Sequence, residues 1–147
     1  MCYMVLLSTD SAEDLSVYND ALVSFSHTLP PLDEVDLLAY PHKWFVGSRH
    51  TCSCGFRHLY ISSVSLGFAA PQDWCPEDLD DIEATLRFVK VVKNLLVAGA
   101  RVDCIDAWGH ETDSSDLAET FQVNLSETRE VEFRFFENHR FVFDANA

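Results

Sequence analysis

Residues 76–99 read PEDLDDIEATLRFVKVVKNLLVAG and have the pattern of one long amphipathic helix. Pro76 suits a first turn, where its missing N–H leaves no hydrogen bond unmade. Glu77, Asp78, Asp80, Asp81 and Glu83 crowd the first half, and Arg87, Lys90 and Lys93 follow, an order that complements the helix dipole. Leu79, Ile82, Leu86, Val89 and Leu96 recur at helical spacing, while Phe88, Val92 and Leu95 widen the stripe. The spacing predicts a helix over about 76–98 with a well-buried C-terminal half, and Gly99 provides a left-handed stop.

The segments on either side of this helix alternate like strands. Cys2 to Ser8, Ala21 to His27, Lys43 to Ser48, Arg101 to Trp108, Phe121 to Leu125 and Arg140 to Phe143 are the expected strands. Arg57 to Leu66 reads as a partner for Lys43 to Ser48, which would put the loop between them at a hairpin tip. Ser11-Ala-Glu-Asp resembles a capped turn, and Leu32 to Leu38 reads as a short helix or an extended link after Pro30-Pro31. Thr128 to Phe136 fits strand or short helix. Six of the 11 phenylalanines fall between 121 and 143 and read as core. Few strands are separated by helices, so the expected class is α+β, a largely antiparallel sheet with one long helix packed on it.

With 147 residues, nearly half of them hydrophobic and only five Gly and five Pro, the chain is expected to form one globular domain over 1–147. A formal charge of −14 argues against general nucleic-acid binding and favours a basic protein partner. The apolar run from Tyr3 to Leu7 is too short for a signal-peptide core or a membrane span, so the expectation is a cytoplasmic chain without a membrane anchor. Five cysteines cannot all pair internally, which argues against a disulfide framework.

Between Leu37 and Gln72 there is no aspartate or glutamate, and all 24 acidic residues lie elsewhere. Within that stretch runs His50-Thr-Cys52-Ser-Cys54-Gly-Phe-Arg57-His58, with Lys43 and Arg49 upstream. His50, Cys52, Cys54 and His58 are the expected donor set for a transition metal, zinc by donor type, with the ion expected to order the loop rather than catalyse. The C-x-C spacing departs from the usual zinc pattern. In a straight strand, His50 and His58 would stand on the order of 26 Å apart, so the chain must turn near Ser53-Cys54-Gly55 for all four to meet.

The same residues allow a thiol-based enzyme or redox sensor at Cys52 and Cys54, because Arg49, Arg57 and the histidines would favour a thiolate. Lys43, Arg49 and Arg57 also suggest an anion cradle, although pairing with the acidic surface is the simpler role. A third class is an acidic protein-interaction module. Weaker candidates are Cys2 as an N-terminal nucleophile, the polar loop Gly109-His110-Glu111-Thr112-Asp113, and Cys75 at the helix start; Cys104 reads as core. The chain contains no phosphate-binding glycine loop, dinucleotide fingerprint, zinc-protease helix or nucleophile elbow.

Overall fold

A computed structural model describes residues 2–72, 77–109 and 119–144 of the chain. Cys75 and the loop from His110 to Asp113 lie outside the described residues. The strands are β1 (Cys2–Thr9), β2 (Val23–Ser26), β3 (His42–Ser48), β4 (His58–Leu59), β5 (Val102–Gly109), β6 (Thr120–Asn124), β7 (Phe135–Phe136) and β8 (His139–Asp144). The helix α1 spans Leu79–Val97, between β4 and β5.

Asp78 caps α1 by accepting a hydrogen bond from the Asp80 N–H at 2.8 Å. Gly99 has φ of 89°, a left-handed conformation that ends the helix. The buried seam runs through Ala84, Thr85, Phe88, Val89, Val91, Val92 and Leu95. Leu79, which begins the predicted apolar stripe, is instead 81% exposed.

Six strands form one sheet in the order β2-β3-β1-β5-β8-β6. Every neighbouring pair is antiparallel except β6 with β8. One long helix on a mostly antiparallel sheet makes this an α+β fold. Alternation along the strands gives the sheet two buried faces. On the helix side, Val5 and Leu7, Trp44 and Val46, Val102 and Cys104, and Phe141 and Phe143 join Phe88 and Leu95 in the main core. On the other side, Leu6, Ile105 and Ala107 pack with Leu38 and with the partly buried Leu32 and Val35. The short 3-10 turn at Asp33–Leu37 supplies part of that cover.

The phenylalanines near the C-terminus are core, as their density suggests. Phe133, Phe135, Phe136 and Phe141 are each essentially inaccessible. Each such ring contributes roughly 1.5–3 kcal/mol by leaving water, so this cluster anchors the helix side of the sheet. The ambiguous stretch before them resolves into a 3-10 turn at Glu130–Glu132 followed by β7.

The expected hairpin does not form. β3 is already paired on both edges, by β1 and by β2, so it offers no ladder to residues 57–66. Only His58–Leu59 is strand, and it pairs in parallel with β7. Ile61–Leu66 is a 3-10 helix. The cysteine loop is therefore not a hairpin tip projecting into solvent. It folds back over the end of β1. Among the described residues, no helix is long and apolar enough to cross a membrane.

Candidate metal centre

The loop's position follows from an unfinished ladder. β3 pairs with β1 only from Val5 onward, leaving Cys2, Tyr3 and Met4 without a partner on that edge. Residues 52–54 take the vacant place. The Ser53 N–H donates to the Tyr3 carbonyl at 2.9 Å, and the Tyr3 N–H donates to the Cys54 sulfur at 3.3 Å. The buried Ser53 hydroxyl accepts from the Val5 N–H at 2.7 Å and donates to the Val46 carbonyl at 2.5 Å. One serine side chain thus stitches the loop into the seam between β1 and β3.

Ser48 closes the turn. Its N–H and its hydroxyl both donate to the Cys52 carbonyl at 2.7 Å, and its hydroxyl accepts from the Gly55 N–H at 2.9 Å. A Cβ at residue 55 would lie 2.6 Å from the Ser48 Oγ and 2.8 Å from its Cβ, so only glycine fits without displacement. Thr51 sits in the left-handed region with φ of 67°, an uncommon state for a β-branched residue and a sign of how sharply the loop bends.

This folding brings three thiols together. The Sγ atoms of Cys2, Cys52 and Cys54 all lie within 4.8 Å of one another, close enough to hold a metal ion. Among the described residues, it is the one convergence of three Cys, His, Asp or Glu donors. Burial works against a Cys52 thiolate, but hydrogen bonds from the Cys54 N–H and from the Cys54 and Cys2 thiols outweigh it. Cys52 is held below the usual thiol value. Burial and the charge of Cys52 push Cys54 up to about 12, despite the Tyr3 N–H. Cys52 therefore ionises before Cys54. A cation at the centre of the trio would remove this competition, because it stabilises all the thiolates together.

The two histidines are placed differently. The His58 Nδ1 lies 2.8 Å from Asp106 Oδ2, and its Nε2 lies 2.6 Å from the Ser53 carbonyl oxygen. Both ring nitrogens are therefore committed, and neither lone pair faces the sulfurs. His50 is exposed, on the limb of the loop before the thiols. Of the four residues singled out by spacing, the fold gathers Cys52 and Cys54, and the third sulfur comes from Cys2. Local sequence could not signal that donor, because its approach depends on which strand edge is left unpaired some fifty residues away.

The basic residues around the loop are neutralised by the start of α1. Arg49 donates to Asp81 at 2.7 Å and lies 3.4 Å from Asp78. Arg57 is buried and makes a two-pronged bond to Glu77, at 2.7 and 2.9 Å. Its guanidinium also donates to the carbonyls of Val131, Phe133 and Ala69, at 2.8, 3.1 and 2.7 Å. Lys43 donates to the Val35 carbonyl at 3.0 Å. An anion cradle needs uncommitted donors, and these are taken up by carboxylates and carbonyls of the chain.

A cleft of about 410 Å³ runs beside the trio, lined by Tyr3, Cys54, Phe56, His58, Tyr60 and Glu77 among others. It gives solvent and ions a path to Cys54. Tyr3 and His58 stack on one wall, with ring centroids 4.0 Å apart and planes 7° from parallel. No protein-family model matches this chain, and neither a curated protein nor a solved structure matches it.

Proposed function

We propose that this protein binds one transition-metal ion, Zn(II), through the thiolates of Cys2, Cys52 and Cys54. The convergence of three sulfurs within 4.8 Å carries the reading. Tetrahedral zinc with Zn–S bonds of about 2.3 Å sets its sulfurs about 3.8 Å apart, so small side-chain rotations suffice. Soft thiolates suit zinc and disfavour calcium or magnesium. The fourth position falls to a donor outside the trio, either water entering by the cleft or the exposed His50 ring.

The ion's role in this reading is structural. It ties residue 2, at the start of β1, to a loop fifty residues later that is otherwise held by backbone hydrogen bonds and the side chains of Ser48, Ser53 and His58. Binding energy spent on closing such a link appears as folding stability. Protein purified without a histidine tag should contain close to one zinc per chain by elemental analysis. Cys2→Ser, Cys52→Ser and Cys54→Ser should each strip most of it. Zinc that survives all three single substitutions, or metal-free wild-type protein that does not take zinc up, contradicts the proposal.

One observation favours a second reading, thiol redox sensing at Cys52 and Cys54: the lowered Cys52 thiol. That reading predicts a wild-type protein without metal, in which Cys52 is alkylated at neutral pH well ahead of Cys54.

A further inference from the structure

The buried pair His58 and Asp106 is spent on the cysteine loop. Their side chains are 6% and 0% exposed. Asp106 belongs to β5 and lies opposite Val5 in the sheet, beneath the place where the loop docks. A carbonyl oxygen can only accept, so the His58 Nε2 beside Ser53 carries a hydrogen. The Nδ1 faces a carboxyl oxygen at 2.8 Å, which requires a second proton between the two groups. The ring is held flat against Tyr3 and has Phe135 as its other aromatic neighbour, with centroids 5.3 Å apart. Its orientation is fixed at both nitrogens and by the Tyr3 stack.

The atom it grips is the carbonyl of Ser53, the residue between Cys52 and Cys54. Tyr3, on which it stacks, follows Cys2 and bonds both Ser53 and Cys54 through its backbone. The ring therefore touches the chain on either side of the three sulfurs without approaching a metal itself.

We infer that His58 is a positioning residue for the thiolate site: anchored by Asp106, it holds the Ser53 peptide so that Cys52 and Cys54 face Cys2. The inference rests on the metal-binding reading above. In many metal sites a carboxylate orients a histidine that binds the ion directly, and loss of such support costs about 10- to 100-fold in affinity. Here the same relay ends on a peptide carbonyl in place of the ion. The bland role for the pair is to satisfy buried polar atoms of the sheet, which would leave metal affinity untouched at constant stability.

Two substitutions separate these roles. The amide nitrogen of glutamine reaches about as far as Nε2, and that of asparagine about as far as Nδ1. His58→Gln keeps a donor for Ser53 and gives up Asp106, whereas His58→Asn keeps Asp106 and gives up Ser53. Zinc affinity is read by competition with a chromophoric chelator, and fold stability by urea denaturation of the metal-free proteins. The expected result is a zinc Kd within about threefold of wild type for H58Q and 10- to 100-fold weaker for H58N, while both lose stability because each gives up one of the ring's two buried partners. The cobalt-loaded H58N protein should also show a weakened, shifted d–d absorption band.

If H58Q and H58N both bind zinc as wild type does, or lose affinity only in step with stability, the inference is overturned while the metal site stands. Wild-type protein that binds no zinc overturns both. A long-range ¹H–¹⁵N spectrum of wild-type protein keeps the test open even if both variants fail to fold. His58 must show a protonated Nε2, and a bare Nε2 refutes the inference without any substitution.

Discussion

Asp103 and Asp106 stand three residues apart on β5, both inaccessible, and face opposite sides of the sheet. Asp103 is fully served. Its Oδ1 accepts the Ser8 hydroxyl, and its Oδ2 accepts the Ala39 N–H at 3.2 Å and two Arg140 donors at 2.9 and 2.7 Å. Asp106 has the His58 ring at one oxygen and no partner at the other. Burial pushes its carboxyl above the ordinary value, and the His58 charge and hydrogen bond only partly offset that. The first carboxylate is closed by a guanidinium fork and finishes a structural network. The second depends on one imidazole, whose far nitrogen reaches the cysteine loop. A buried charge satisfied on all sides holds the fold, and one left half-satisfied points to what its single partner is doing.

The largest effect should come from breaking the satisfied side. Arg140→Met strands the Asp103 charge and should cost roughly 3 kcal/mol in urea denaturation, with zinc affinity unchanged. A matching loss of zinc affinity would mean that the two carboxylates are not separable. Ser53→Ala should cost about 2 kcal/mol, because it leaves the Val5 N–H and the Val46 carbonyl without their side-chain partner. Unlike the Arg140 change it should also weaken zinc binding, since it leaves the loop held to β1 only through Tyr3.

The smallest effect is a pH dependence. Asp106 holds its proton to higher pH in the folded than in the unfolded chain. Its contribution is therefore complete below the unfolded carboxyl value of about 4 and is lost as pH rises through the folded value. The stability of wild type relative to Asp106→Asn should fall on going from pH 3 towards neutrality. A flat difference across that range would remove the distinction drawn between the two aspartates.

Most of the fold was legible because its signals are local. The charge order and apolar spacing of residues 76–99 need no partner to be read, and the six strands of the main sheet lie within a residue or two of the ends that alternation gives them. Leu79 is exposed despite its place in the stripe, because a helical stripe does not say where the facing sheet stops. The hairpin failed for a topological reason: alternation in residues 57–66 resembles a strand, but β1 and β2 already occupy both edges of β3. The stretch without acids was real in sequence and misleading in space, since Glu77, Asp78 and Asp81 return to neutralise Arg49 and Arg57. At the site, Cys52 and Cys54 were visible as a motif. Cys2 stands out in sequence only as an N-terminal nucleophile, because its place beside them comes from a ladder register fixed elsewhere. His58 drew attention as a ligand by its spacing, and its geometry turns both nitrogens to other partners.

The central claim is that three sulfurs hold one ion. X-ray absorption fine structure of the zinc-loaded protein counts and ranges the atoms around the metal. The account predicts three sulfur scatterers at about 2.3 Å with a single lighter atom completing the shell. A shell made only of nitrogen and oxygen, or one with fewer than three sulfurs, would contradict it.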